Sequence, residues 1–187
     1  MNLPNILTLS RLVLAVVLVF LLEEHSSAGN TGAVIVFAIA SLTDFYDGYF
    51  AKKMKLVSDF GKIMDPVADK FLLLSVFGVL AQIGMVAWWM FMVIAIREIT
   101  VTASRLLAMR QGQVLAAERA GKIKTVVQIV AVSVILLYLV AQQSDFCSSW
   151  FFNVESLWLG FNEVLMYAAV IITVYSGIDY FRNKSKI

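Results

Sequence analysis

The sequence predicts an all-α polytopic membrane protein: six transmembrane helices with a polar cavity at their cytoplasmic end. Three observations carry this expectation. Apolar residues make up 60% of the 187 residues and mean hydropathy is +0.84, above the roughly half-apolar content of soluble domains. Six apolar runs, at about 4–22, 32–53, 61–83, 86–109, 119–141 and 160–182, are each long enough to span a bilayer once their polar ends are included. All fifteen Lys and Arg fall on one side when these runs alternate in direction, which by the positive-inside rule puts both termini in the cytoplasm.

In the first run, Asn5, Thr8 and Arg11 are spaced by three, and Leu12 to Leu22 is purely apolar. Glu23 and Glu24 follow in place of a small-residue cleavage site, so this run reads as a retained span. The second run is apolar up to Ser41 and ends with Asp44, Asp47 and Lys52. The third opens with Asp65 and Asp69, with Pro66 either at its first helical position or at a kink. The fourth carries Arg97, Glu98 and Arg105 late, and the fifth carries Lys122, Lys124, Thr125 and Gln128 early. The sixth ends at Arg182. Odd runs thus start polar and even runs finish polar, which gathers charge at the inner end and leaves the outer half dry. The outer loops LEEHSSAGN, AQIGMVA and AQQSDFCSSWFFNVES contain no cation. No Ser/Pro/Gly-rich linker divides the chain, so residues 1–187 read as one membrane domain.

Four aspartates stand out. A carboxylate at a helix centre in a bilayer costs roughly 2.5–3.5 kcal/mol, so four close together point to function. Asp44 and Asp47 are i,i+3 and Asp65 and Asp69 are i,i+4, so each pair shares a helix face. Two such faces offer hard oxygen ligands for one or two Mg²⁺ or Mn²⁺ ions. Gly48 and Gly61 remove side chains beside them. Asp59 reads as a loop residue that caps a helix or pairs with a lysine, and Lys53 and Lys55 as snorkelling cations. For the neighbours Arg97 and Glu98, a structural ion pair and a substrate role both stand open. Trp88, Trp89, Trp150 and Trp158 read as outer interfacial anchors. The single Cys147 and the single His25 offer neither a disulfide framework nor a metal-ligand set. No nucleic-acid-reading module appears; the basic face suits anionic headgroups and phosphorylated substrates.

Residues 44–69 read Asp-x2-Asp-Gly-x2-Ala-Lys-x8-Gly-x3-Asp-x3-Asp. This resembles the signature of the CDP-alcohol phosphotransferase family at Asp44, Asp47, Gly48, Ala51, Gly61, Asp65 and Asp69. Lys52 stands where the family usually has Arg, keeping the charge and losing the bidentate fork. The stretches PNILTLSR, DPVADK, REI and GKIKT followed by Gln128 resemble the branch of the family that uses glycerol 3-phosphate. The resemblance implies six spans, CDP-diacylglycerol as donor, sn-glycerol 3-phosphate as acceptor, CMP as by-product, two divalent metals and a homodimer. On this reading Asp44, Asp47, Asp65 and Asp69 hold Mg²⁺ or Mn²⁺, and Asp69 is the general base. Asn5, Thr8, Gly48, Ala51, Lys52 and Gly61 line the nucleotide pocket; Arg97, Arg105, Lys122 and Lys124 meet the acceptor phosphate. The alternatives are a sister activity making cardiolipin, phosphatidylinositol phosphate or phosphatidylserine, and a cation transporter, although neither a midplane site nor an internal repeat is visible.

Overall fold

The computed structural model describes the backbone of residues 3–54, 59–111, 119–143 and 148–184, with side chains at 9–43, 67–68, 70–109, 111, 121–143 and 155–183. Six helices account for nearly all of it: α1 (Leu3–Glu23), α2 (Ser27–Met54), α3 (Asp59–Gln82), α4 (Trp88–Arg110), α5 (Arg119–Gln142) and α6 (Ser148–Lys184). They close into a ring in the order α1, α2, α5, α6, α4, α3 and back to α1, and α3 also touches α5. α1 therefore packs against both helices that carry the aspartate pairs.

The turns at one end are built from local chemistry. Ser26 Oγ accepts the Gly29 amide at 2.9 Å, capping α2. A Cβ on Gly29 would fall 2.5 Å from the Leu21 carbonyl oxygen, so only glycine lets α2 leave α1 so tightly. At the end of α3, Gly84 has φ 81. The Met85 amide bonds the Leu80 carbonyl at 2.9 Å and the Gly84 amide bonds that of Ala81 at 3.2 Å, a Schellman closure. Asn30 donates to the Leu139 carbonyl at 3.4 Å and to Gln143 Oε1 at 3.0 Å, and Gln143 donates to the His25 carbonyl at 3.2 Å. These bonds tie the α1–α2 turn to the end of α5.

The apolar core fills this same half of the bundle, with Leu18, Leu22, Phe37, Phe77, Leu80, Ile94, Ile135, Leu136 and Met166 all buried. The opposite half holds every buried charged residue among the described side chains: Arg11, Glu98 and Lys124. The separation of a dry end from a charged end follows the parity seen in the sequence. The outward surface is apolar, with Phe20 67% and Leu157 72% exposed, a distribution that suits lipid rather than water. Among the described residues, Gly121–Gln142 and Glu155–Asn183 are helices long and apolar enough to cross a membrane, with hydropathies of 2.3 and 1.7.

Three expectations are corrected by the fold. The sixth helix begins at Ser148 rather than near 160, and its 37 residues make it about 56 Å long, nearly twice the hydrocarbon thickness of roughly 30 Å. No Pro or Gly interrupts 148–159. Glu155 accepts a hydrogen bond from Tyr138 at 3.0 Å, which holds this extension against α5. Asp59 is the first residue of α3, not a loop residue, so Pro66 lies inside the helix rather than at its start. Trp158 packs half-buried against the core, whereas Trp88 and Trp89 are exposed at the start of α4 as anchors would be.

Candidate active site

The signature residues sit on the two helices that end and begin at the charged half. α2 carries Asp44, Asp47, Gly48, Ala51 and Lys52 near its end; α3 carries Gly61, Asp65 and Asp69 in its first turns. Both backbones are helical through these positions, so the i,i+3 and i,i+4 spacings act as one-face pairs. The side chains of Asp44, Asp47, Asp65 and Asp69 lie outside the described residues, as do those of Asn5, Thr8, Ala51 and Lys52 and the surroundings of Gly48 and Gly61. The donor set fits a hard divalent cation on its chemistry: four carboxylates, paired on two helices that share α1 as a neighbour.

Directly after Asp69 in the chain the structure holds a buried charge cluster. Glu98, only 1% exposed, accepts a hydrogen bond from Lys124. Its other oxygen lies 3.7 Å from the Lys70 ammonium. The Arg97 guanidinium reaches Glu98 Oε1 at 3.4 Å and donates to Ser176 Oγ. One carboxylate on α4 thus joins α3, α5 and, through Arg97, α6. A lone charge at that depth is prohibitively costly, so the cations are what make a buried carboxylate tolerable there. Below this layer Gln128 donates to Thr173 Oγ1 at 3.0 Å, both side chains fully buried, which adds a polar rung between α5 and α6.

Of the four cations expected at the acceptor phosphate, Arg97 and Lys124 are brought together through Glu98. Arg105 stands apart, its guanidinium 5.3 Å from the centre of the Tyr180 ring, a cation–π arrangement. Tyr180 Oη in turn meets Ser104 Oγ at 3.3 Å. Lys122 is exposed on the first turns of α5. Spacing and parity alone assign no role to Lys70, Arg11 or Ser176, and leave Glu98 between two. The signal for Lys70 is its place directly after Asp69; for Glu98 it is an acid within an apolar run, in a stretch from 97 to 124 that carries six Lys and Arg. Arg11, 4% exposed, is a further buried cation at the charged end.

Between α4 and α6 runs an open groove of about 690 Å³, walled by Val93, Ile96, Val174, Ile178 and Phe181, with Arg97 and Arg182 on its lining. Apolar surface that leads to guanidinium groups is the pattern a phospholipid presents in reverse.

A membrane-type helical bundle with paired aspartates on two helices that share α1 as a neighbour fits the class of enzyme its signature resembles, and comparison with known proteins agrees. The chain belongs to the CDP-alcohol phosphatidyltransferase family, whose model matches residues 1–175. It is 36% identical over 192 residues to a CDP-diacylglycerol–glycerol-3-phosphate 3-phosphatidyltransferase of Bacillus subtilis (strain 168), covering 96% of this chain and 93% of the relative. It is 39% identical over 184 residues to a probable phosphatidylglycerophosphate synthase of Mycobacterium tuberculosis (strain H37Rv), covering 96% and 79%. A Rickettsia typhi protein bearing the same name as the Bacillus relative is 30% identical over 181 residues, covering 97% and 96%.

Proposed function

We propose that this protein transfers the phosphatidyl group of CDP-diacylglycerol to sn-glycerol 3-phosphate, giving phosphatidylglycerophosphate and CMP. The observation that carries the reading is near full-length similarity to relatives named for this reaction, together with a buried cation cluster directly after Asp69.

The acceptor hydroxyl oxygen forms a bond to the lipid-bearing phosphorus, and the bond from that phosphorus to the CMP oxygen breaks. Asp69 takes the hydroxyl proton as general base. Two Mg²⁺ or Mn²⁺ ions held by Asp44, Asp47, Asp65 and Asp69 would neutralise the diphosphate and the charge that develops on the departing CMP. Asn5, Thr8, Gly48, Ala51, Lys52 and Gly61 line the nucleotide side. Glycerol 3-phosphate is a dianion, and Arg97, Arg105, Lys122 and Lys124 supply fixed positive charge for it.

The same proposal includes six membrane spans over residues 1–187 as one domain, a homodimer, and termini and active-site cavity on the cytoplasmic side. The α4–α6 groove supports lateral access for acyl chains from the inner leaflet. The decisive experiment is purified protein with CDP-diacylglycerol, Mg²⁺ and a panel of acceptors, read by CMP release. Glycerol 3-phosphate is expected to be used, and glycerol, serine and inositol not. Efficient turnover with serine or inositol would reassign the acceptor within the family.

A further inference from the structure

The proposed function takes no residue from α6, yet one face of that helix meets the charged end of the bundle. Thr173, Ser176 and Tyr180 follow one another at helical spacing, so they share a face, and all three are buried. Each meets a side chain of a neighbouring helix. Gln128 donates to Thr173, Arg97 donates to Ser176, and Tyr180 donates to Ser104 Oγ at 3.3 Å. The ring of Tyr180 also lies under the Arg105 guanidinium, 5.3 Å from ring centre to Cζ.

Arg105 is half-buried, and among the described residues its guanidinium makes no hydrogen bond and no ion pair. An arginine that only ties helices together spends its fork on a carboxylate or a carbonyl. An aromatic face attracts a cation through the ring quadrupole and takes none of its N–H groups. The ring therefore fixes the guanidinium while its hydrogen-bonding capacity stays unspent. Toward α5 the guanidinium faces Gly121, where an added Cβ would still lie 4.0 Å from Nη2, so no side chain covers that nitrogen from this position.

The platform is itself held. Tyr180 is 4% exposed, and the Phe181 ring meets its own edge to face at 5.2 Å and 82°. Ser104, which takes the Tyr180 hydroxyl proton, directly precedes Arg105. That bond ties the ring to the same turn of α4 that carries the guanidinium. A long arginine chain loses rotamer freedom when it grips an anion, and a chain already seated on a fixed ring has less to lose. In the proposed function the aspartate-held ions answer the diphosphate of the lipid donor. The phosphate left for a guanidinium on α4 is that of the acceptor, which a planar fork meets with two parallel hydrogen bonds.

We infer that Tyr180 is a positioning residue for the acceptor site: its ring holds the Arg105 guanidinium so that the free N–H groups receive the acceptor phosphate. This rests on the proposed phosphatidyl transfer to glycerol 3-phosphate and brings α6 into the selection of a phosphorylated acceptor.

The test compares the wild type with Tyr180→Phe, Tyr180→Leu and a chain carrying pentafluorophenylalanine at position 180, in detergent with CDP-diacylglycerol and Mg²⁺. Phenylalanine keeps the π face and loses only the hydroxyl. Fluorination keeps the ring and withdraws the negative charge from its face. KM for glycerol 3-phosphate is expected to stay within about twofold of the wild type with phenylalanine, and to rise about fivefold or more with leucine and with the fluorinated ring. KM for CDP-diacylglycerol should stay within about twofold throughout. The fluorinated ring preserves packing, so its comparison with phenylalanine decides the matter even where the leucine variant fails to fold. An acceptor KM unmoved by fluorination, an equal rise with phenylalanine, or a parallel rise for CDP-diacylglycerol overturns the inference and leaves Tyr180 as packing. Should the wild type itself release no CMP with glycerol 3-phosphate, it is the proposed function that fails.

Discussion

Arg97 lies across the bare backbone of Gly177: a Cβ built on Gly177 would meet Arg97 Cγ at 3.1 Å. The missing side chain is what lets a guanidinium on α4 cross to α6 and donate to the neighbouring Ser176. Position 177 is therefore coupled to the charge cluster through Arg97, although it carries no chemistry of its own.

Two substitutions at Gly177 separate packing from positioning. Gly177→Ala gains up to about 1 kcal/mol of helix propensity, against a small outward shift of Arg97, so its melting temperature should stay near that of the wild type while CMP release falls. Gly177→Leu cannot be absorbed by one flexible side chain and is expected to lose about 1–3 kcal/mol by overpacking. Thermal unfolding in detergent reads both. A leucine variant as stable as the wild type would mean that α4 and α6 do not approach closely here.

Stability should respond to the Glu98–Lys124 pair in a non-additive way. Lys124→Met strips Glu98 of its hydrogen-bonded cation inside the bundle, and breaking a buried pair by removing one partner costs on the order of 3–5 kcal/mol. Removing both partners leaves neither member of this pair charged without the other, so Glu98→Gln/Lys124→Met should cost less than the sum of the two single changes. Denaturation of the single and double variants checks the sign of the coupling. Equal losses that simply add would show that the two side chains do not interact.

The charged end of the bundle is legible in the sequence because the cost of charge in a bilayer leaves few places for it. Asp44, Asp47, Asp65 and Asp69 announce themselves by spacing, and the dry outer half by the uninterrupted run from Leu12 to Leu22. Pairing between helices is what stays hidden. Sequence parity places Arg97, Arg105, Lys122 and Lys124 at one end of the bundle, but rotation about each helix axis sets their surroundings. That rotation turns Lys124 inward to Glu98, sets Arg105 over Tyr180 and leaves Lys122 exposed. The early start of α6 is hidden for a different reason. Trp150, Phe151 and Phe152 alternate with polar residues too irregularly to mark a span, and the bond that holds the extension, Tyr138 to Glu155, bridges 17 residues of sequence.

Metal dependence is expected from the site proposed at the aspartates. EDTA is expected to abolish CMP release, and added Mg²⁺ or Mn²⁺ to restore it. Asp47→Asn and Asp65→Asn each replace a charged oxygen ligand with a neutral amide and should reduce turnover by about a hundredfold or more. Either variant keeping a near-normal rate would remove the two-metal site from the proposal.

The proposed placement of the active site on the cytoplasmic side rests on charge, and labelling tests it. By helix parity all fifteen Lys and Arg fall at the end of the bundle that carries the aspartates, and the outer loops have none. Arg11, Glu98 and Lys124 are the buried charged residues among the described side chains, and they lie at that same end. Translocating that end would carry the whole cationic set across the membrane, against the positive-inside bias. Lys184 closes α6 at this end, and Cys147 falls just before the helix begins at the other. A membrane-impermeant thiol reagent applied to intact cells should therefore miss a Lys184→Cys variant made in a Cys147→Ser background, and label it once the cells are opened. Cys147 in the unmodified chain should show the opposite pattern if it is solvent-accessible. Reaction at position 184 in intact cells would invert the topology and put the aspartates on the outer face, where no cytoplasmic pool of phosphorylated acceptor reaches them.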